Sequence, residues 1–337
     1  MTASTRRYDA VFFDLYGTLI DIRTDEEADE PWQALREALV GLGMEPAVSI
    51  AGLRARFTQA VRETNARQQA VRSSSIHSPR TAHAHADAVP LSADTQSDGT
   101  PTSAAARSAM TATLDGRRPV IPPDCVEPDL LPAYRLLCEA AMRGTIADRT
   151  SGTPAAAAID RVAIDRAARH AAWTFRRAST RTIRLYPGAI RLLRSLHAAG
   201  LRVVLVSNAQ ACYTRPELDM LGLTPLFDRI VISSEEGVRK PSPELFHRAL
   251  AREGLRPDRV VMVGNDERSD ILGSRAAGID GVYLRTAISP AGDPQSSAHA
   301  VLSLRGADYA PLAALLGVDY ARLATPPTLL GVRGGGD

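Results

Sequence analysis

Five apolar runs in this chain are short, strand-like and sharply bounded. "YDAVFFD", "RVVLVSN", "RIVIS", "RVVMVGND" and "GVYLR" each hold three or four consecutive strand-forming apolar residues, stopped by polar or turn residues. Runs of that kind suit strands buried on both faces of a parallel sheet. Between them the period changes. "LYPGAIRLLRSLHAAG" carries apolar residues at helical spacing and stops at Gly200, a C-terminal cap. A polar helix from about Thr214, a helix from about Ser242 and a short one in "SDILGSRAAG" fill the other gaps. Strands alternating with helices predict right-handed crossovers and an α/β fold with a doubly wound parallel sheet.

One strand, "YDAVFFD", stands far from the rest. The stretch between reads differently: "EPWQALREALVGLG", "IAGLRARFTQAVRETNAR", "LLPAYRLLCEAAM" and "IDRAARHAAWTFRRAS" are amphipathic at helical spacing. The pattern predicts a catalytic core over 8–22 and 186–318, interrupted by an α-helical cap over 23–185. Trp32 and Trp173 are expected in the cap interior. Inside the cap, about 71–120 contains almost no large apolar residues, so burial there cannot offset the entropy of ordering, and the segment is expected to be disordered. "RTSGTPAAAA" reads as a flexible loop and 319–337 as a flexible tail. Arg176, Arg177, Arg181 and Arg184 read as a solvated helix face rather than an anion site.

Composition narrows the class. Apolar residues make up 45% of the 337, enough for a sizeable core, and a formal net charge of +2 argues against nucleic acid or a membrane surface as the main partner. Cys125, Cys138 and Cys212 lack metal-ligand or redox spacing, so free thiols in a reducing compartment are expected. The N-terminus has no apolar signal segment, and no run approaches the ~20 apolar residues of a membrane helix; the expectation is a cytoplasmic protein. His83 and His85 sit in the low-complexity stretch and read as incidental.

Chemistry belongs at the strand exits, because open parallel sheets bind ligands beyond the carboxyl ends of their strands. Asp14 ends the first apolar strand, Ser207 and Asn208 end "VVLVSN", and Asp266 follows "VVMVGN", with Asp270 one helical turn on. Lys240 lies in the loop "GVRKPSPE". Three carboxylates at one mouth with one lysine would raise one another's pKa, and a hard divalent cation would relieve that. Asp270 is also suited to cap the helix that follows it.

"FFDLYGTLID", "VVLVSNAQ", "GVRKPSPELF" and "VVMVGNDERSDILGSRAAG" resemble, in order and character, the four motifs of the haloacid dehalogenase superfamily, with a helical cap between the first and second. The resemblance implies that Asp14 is a nucleophile forming a covalent aspartyl intermediate, and that Lys240 neutralises the nucleophile and the transferring group. It implies that Thr18 and Ser207 bind the anionic substrate group or position Asp14, that Asn208 is substrate-binding, and that Asp14, the Tyr16 carbonyl, Asp266 and Asp270 hold Mg²⁺. Tyr16 departs from the phosphatase pattern, which has an aspartate there as leaving-group acid; "DLYGTL" resembles the 2-haloacid dehalogenase branch instead. Asp266 and Asp270 resemble the phosphatase fourth motif, and Phe246 stands where the dehalogenase branch has a tyrosine. Weighing the fourth motif more heavily, the expected activity is Mg²⁺-dependent hydrolysis of a small phosphomonoester. The alternatives are a metal-independent 2-haloacid dehalogenase acting on a halogenated acid, and a catalytically weak binding or regulatory protein.

Overall fold

The computed structural model describes residues 7–74, 121–149 and 160–320. The expected disordered insert beyond residue 74, with His83 and His85, the loop near residue 150 and the tail beyond residue 320 lie outside the described residues. The chain divides into two compact units, one of residues 1–64 and 121–337, the other of residues 65–120. The sheet lies wholly in the first.

Four residues set the centre of that sheet. β1 (Ala10–Phe13) is buried at every position. Its side chains alternate: Val11 and Phe13 join the apolar cluster on one face, Ala10 and Phe12 the cluster on the other. A strand so enclosed needs neighbours on both edges. β1 lies between β4 (Arg202–Ser207) and β6 (Val260–Gly264), with β5 (Arg229–Ile232) outside β4, and β7 (Asp280–Arg285) then β8 (Leu302–Arg305) outside β6. Every pairing is parallel. The strand order therefore reverses direction at β1, and such a reversal opens a crevice at the carboxyl end of the strand. Asp14 emerges there.

The segment read from sequence as a cap forms four helices, α1 (Asp29–Gly41), α2 (Ile50–Ser74), α3 (Leu131–Arg149) and α4 (Arg161–Ser179). All four were legible from helical periodicity. Their apolar stripes meet around Trp32, Leu35, Leu39, Tyr134 and Phe175, and Trp32 packs edge-on to Phe175 at 5.0 Å and to Phe57 at 5.6 Å between ring centroids. Trp173, expected in the same interior, is half-buried outside that cluster. The core helices are α5 (Ala189–Ala198), α6 (Ala211–Met220), α7 (Ser233–Glu236), α8 (Pro243–Glu253), α9 (Gly273–Ala276) and α10 (Ala310–Leu315). Cys212 and Tyr213 of α6 belong to the cap cluster, so the cap interior extends onto a core helix.

Three strands were not read from the sequence. β2 (Ile20–Thr24) and β3 (Thr180–Leu185) pair antiparallel and form the stem through which the chain leaves and re-enters the core. Both are half-exposed and rich in arginine and threonine, and their alternation is too short to register as a pattern. β8 is a four-residue edge strand. Among the described residues no helix is long and apolar enough to cross a membrane.

Candidate active site

The register of the sheet fixes what surrounds Asp14. Phe13 is level with Leu205 on one side and with Val263 on the other. The next residues out are therefore Asp14 in the middle, Val206 and Ser207 beside it, and Gly264 and Asn265 across. The Asp14 amide donates to the carbonyl of Val263 at 2.9 Å, which pins the nucleophile loop to β6.

Lys240 reaches this point from the loop before α8. Asn208 holds that loop at both ends of one residue: the Lys240 amide donates to Asn208 Oδ1 at 2.8 Å, and Asn208 Nδ2 donates to the Lys240 carbonyl at 2.9 Å. The Lys240 ammonium then donates to Asp14 Oδ1 (2.8 Å), Asp270 Oδ1 (2.6 Å) and the Val206 carbonyl (2.8 Å). An ammonium has three protons, and all three are taken. Burial alone would lower the pKa of this lysine; the carboxylates of Asp14 and Asp270 outweigh it and raise the pKa, so the charge is retained. Asp270 is raised, first by burial and further by the charge of Asp14, with Lys240 opposing.

Asp14 Oδ1 also accepts from Ser207 Oγ at 3.0 Å. Its Oδ2 has no hydrogen-bond partner among the described residues. One oxygen is thus anchored and the other faces the crevice, the asymmetry a carboxylate nucleophile requires.

Two glycines permit the close packing. A Cβ on Gly264 would lie 2.2 Å from the carboxyl carbon of Asp270, so only glycine lets Asp270 approach β6. Gly17 has φ 82°, and a Cβ there would lie 2.1 Å from Asn265 Nδ2.

Several expected roles differ from what the side chains touch. Asp266 does not join the acids. Its Oδ1 accepts from the Ser269 amide (2.7 Å) and its Oδ2 from Ser269 Oγ (2.9 Å), capping the turn Glu267–Leu272. Asp270, expected to cap, lies inside that turn, its Oδ2 accepting from the Asp266 amide at 3.0 Å. The predicted assembly of three acids is therefore corrected to two, Asp14 and Asp270, with Lys240 between them. Among the described residues no group of three or more His, Cys, Asp or Glu side chains is arranged to hold a metal. The amide of Asn208 bonds Lys240 at both its ends, so it positions the lysine. Thr18 is fully buried: its hydroxyl donates to Asn265 Oδ1 at 3.4 Å and its carbonyl accepts from Tyr309 at 2.7 Å. Gln210 holds the segment just before α3, accepting from the Leu130 amide and donating to Glu127 and the Pro128 carbonyl. Phe246 is packed in the core beneath the sheet.

The Tyr16 side chain is engaged with α6. Its hydroxyl donates to Glu217 and lies 2.8 Å from Thr214 Oγ1, both on α6. Arg176 of α4, read from sequence as part of a solvated face, is buried here. It donates to Glu217 at 2.7 Å and Glu26 at 3.0 Å, and its guanidinium lies over the rings of Tyr16 (5.9 Å) and Tyr213 (5.3 Å). Arg177 is exposed on α4 as expected; Arg181 and Arg184 are exposed too, but they lie on β3 and not on the predicted helix face.

Sequence reasoning missed Asn265 and Glu217. Counting residues outward from the strand that pairs with β1 would have pointed to Asn265 rather than Asp266. No sequence signal marks Glu217, one acid on a polar helix.

A Mg²⁺ ion fits these residues in part. Asp14 Oδ2 is open, and the carbonyl of Tyr16 accepts no hydrogen bond among the described residues. Mg²⁺ is commonly held by one or two carboxylates, with water and substrate phosphate oxygens completing its shell. Of the four predicted ligands, Asp14 and the Tyr16 carbonyl remain suitable; Asp266 and Asp270 do not.

A parallel sheet reversing at β1, an open carboxylate at that strand's exit and a buried lysine beside it define a hydrolase-type α/β site. The residue pattern of the haloacid dehalogenase-like hydrolases matches residues 8–278, and the chain belongs to that family. It is 35% identical over 113 residues to a phosphoserine phosphatase from Thermus thermophilus, covering 34% of this chain and 45% of the relative. It is 38% identical over 100 residues to the pyrimidine 5'-nucleotidase YjjG of Escherichia coli, covering 29% of this chain and 44% of the relative. The match thus spans under half the length of these curated relatives. A crystal structure of a HAD phosphatase from Thermococcus onnurineus aligns over 92% of this chain and 98% of its own at 18% identity, with a TM-score of 0.41.

Proposed function

We propose that this chain hydrolyses small phosphomonoesters through an aspartyl-phosphate intermediate on Asp14. The observation that carries the reading is the divided carboxylate: Oδ1 fastened to Ser207 and Lys240, Oδ2 open to the crevice. In this reading Oδ2 attacks phosphorus. Lys240, fixed by three hydrogen bonds, needs no reorganisation to offset the negative charge brought together when the phosphate meets the Asp14 carboxylate. Ser207 keeps the carboxylate from rotating. Asp270 and the Asn208 clamp position the lysine. Family membership and phosphatase-named relatives support the assignment.

Mg²⁺ belongs to this proposal as an ion held by Asp14 and the Tyr16 carbonyl; when bound, it supplies positive charge to the phosphate oxygens. With both acids ionised, the trio of Asp14, Asp270 and Lys240 carries a net charge of −1, and an arriving phosphate dianion then meets repulsion that such an ion would relieve. The three cysteines, all buried and free, suit a reducing, cytoplasmic setting.

Tyr16 and the two-acid arrangement favour a second reading, metal-independent hydrolysis of a carbon–halogen bond by the same Oδ2. The two are separated by incubating purified protein with an aryl phosphate and, in parallel, with 2-chloropropionate, each with Mg²⁺ and with a chelator. Phosphate release that disappears in Asp14→Asn supports the first reading. Chloride release unaffected by chelator replaces it with the second.

A further inference from the structure

Resting on the phosphatase reading above, we propose that the substrates are phosphates whose leaving group departs without being protonated: acyl phosphates foremost, and aryl phosphates of acidic phenols.

The inference comes from where the protons near Asp14 are held. Ser207 donates its hydroxyl to Asp14 Oδ1. Lys240 has all three protons engaged, with two carboxylates and the Val206 carbonyl. Asp270 accepts on both oxygens, from Lys240 and from the Asp266 amide. Asp266 accepts on both from Ser269. Thr18 donates to Asn265 and is fully buried. Tyr16, two residues from the nucleophile, has its phenol committed as a donor to Glu217, with Arg176 over its ring. Its pKa is raised, first by burial and then by the Glu217 charge, so the proton is held more tightly than in a free phenol. Glu217 cannot take its place, since both its oxygens accept, one from Tyr16 and the other from Arg176 at 2.7 Å. Each of these groups is an acceptor or a donor already bound.

The chemistry then balances without an acid. A lone pair on Asp14 Oδ2 forms the bond to phosphorus, the bond from phosphorus to the leaving oxygen breaks, and its electron pair leaves on a carboxylate or phenolate. In the second half, a water oxygen bonds to phosphorus, the bond to Oδ2 breaks, and Asp14 regains its negative charge. The water proton leaves with the phosphate or to solvent. An alkoxide is too basic to depart in this way.

The test compares kcat/KM of the purified full chain, with Mg²⁺ present, on acetyl phosphate, 4-nitrophenyl phosphate, phenyl phosphate and glycerol 1-phosphate. Expected is a monotonic fall with leaving-group basicity, the alkyl ester lagging the activated ones by on the order of 10²–10⁴-fold, the span a positioned acid would otherwise close. Tyr16→Phe is expected to keep the same slope. Alkyl and activated phosphates within tenfold of each other overturn the inference and leave the phosphatase reading standing. A slope that steepens in Tyr16→Phe overturns it too, by making the phenol the donor. No phosphate release from any of the four overturns the phosphatase reading itself, and this inference with it.

Discussion

Tyr16 and Glu217, 201 positions apart in the chain, meet through a hydrogen bond from the phenol to the carboxylate. Arg176 closes the arrangement from the cap, so the nucleophile loop, a core helix and a cap helix share one buried charge pair. Removing one partner of a buried pair leaves the other charge uncompensated, which costs ~3–5 kcal/mol. Arg176→Met is therefore expected to destabilise the protein by about that much in urea denaturation. Adding Glu217→Gln should recover part of the loss, because the two changes remove a single interaction. Additive losses would show that the pair is not coupled.

Gly17 offers a second test. Its left-handed backbone costs a residue with a Cβ roughly 1–2 kcal/mol, and that Cβ would also displace Asn265. Gly17→Ala is expected to lose stability and to lower turnover. In Gly17→Ala/Asn265→Ala the steric part of the loss disappears and the backbone part stays. Equal stability of wild type and Gly17→Ala in a denaturation curve would contradict the backbone conformation described.

Asn265 leaves the strand next to β1 as a neutral side chain beside Gly17 and Thr18. With one open carboxylate oxygen, the wild-type chain is expected to bind Mg²⁺ weakly in the absence of phosphate. Asn265→Asp adds an anionic oxygen at that position and should tighten binding at least tenfold, a change of ~1.4 kcal/mol. Isothermal titration of each protein with MgCl₂, without substrate, reads this directly. Unchanged affinity would place Asn265 outside reach of the ion.

The cysteines give a prediction in pH. Burial pushes the thiols of Cys138 and Cys212 up to about 12 and raises that of Cys125. Since the thiolate is the reactive form, native protein at pH 8 is expected to resist iodoacetamide. Denatured in urea, all three sites should alkylate, as mass spectrometry would record. Rapid labelling of Cys212 in the native state would mean that the cap cluster opens.

The four apolar strands nearest the site, the four helices between β2 and β3, Asp14 and Ser207 at strand exits and Lys240 in a loop were legible in the chain, because burial on both faces leaves uninterrupted apolar runs and burial on one face leaves a helical stripe. Those patterns are local, and the residues themselves carry them. The direction of each polar side chain is not local. Asp266 and Asn265 are neighbours in one motif, and which of them faces the crevice depends on the register of β6 against β1. Whether Tyr16 serves the crevice or Glu217 depends on a helix more than a hundred residues away. Arg176 looked like a solvated residue in its own helix and is buried because three other elements meet over it. Hydrogen bonding is directional and short in range, so the partner that claims a donor is decided only when the elements pack. The sequence determined where the chemistry stands, and the tertiary structure determined which protons and charges are free to perform it.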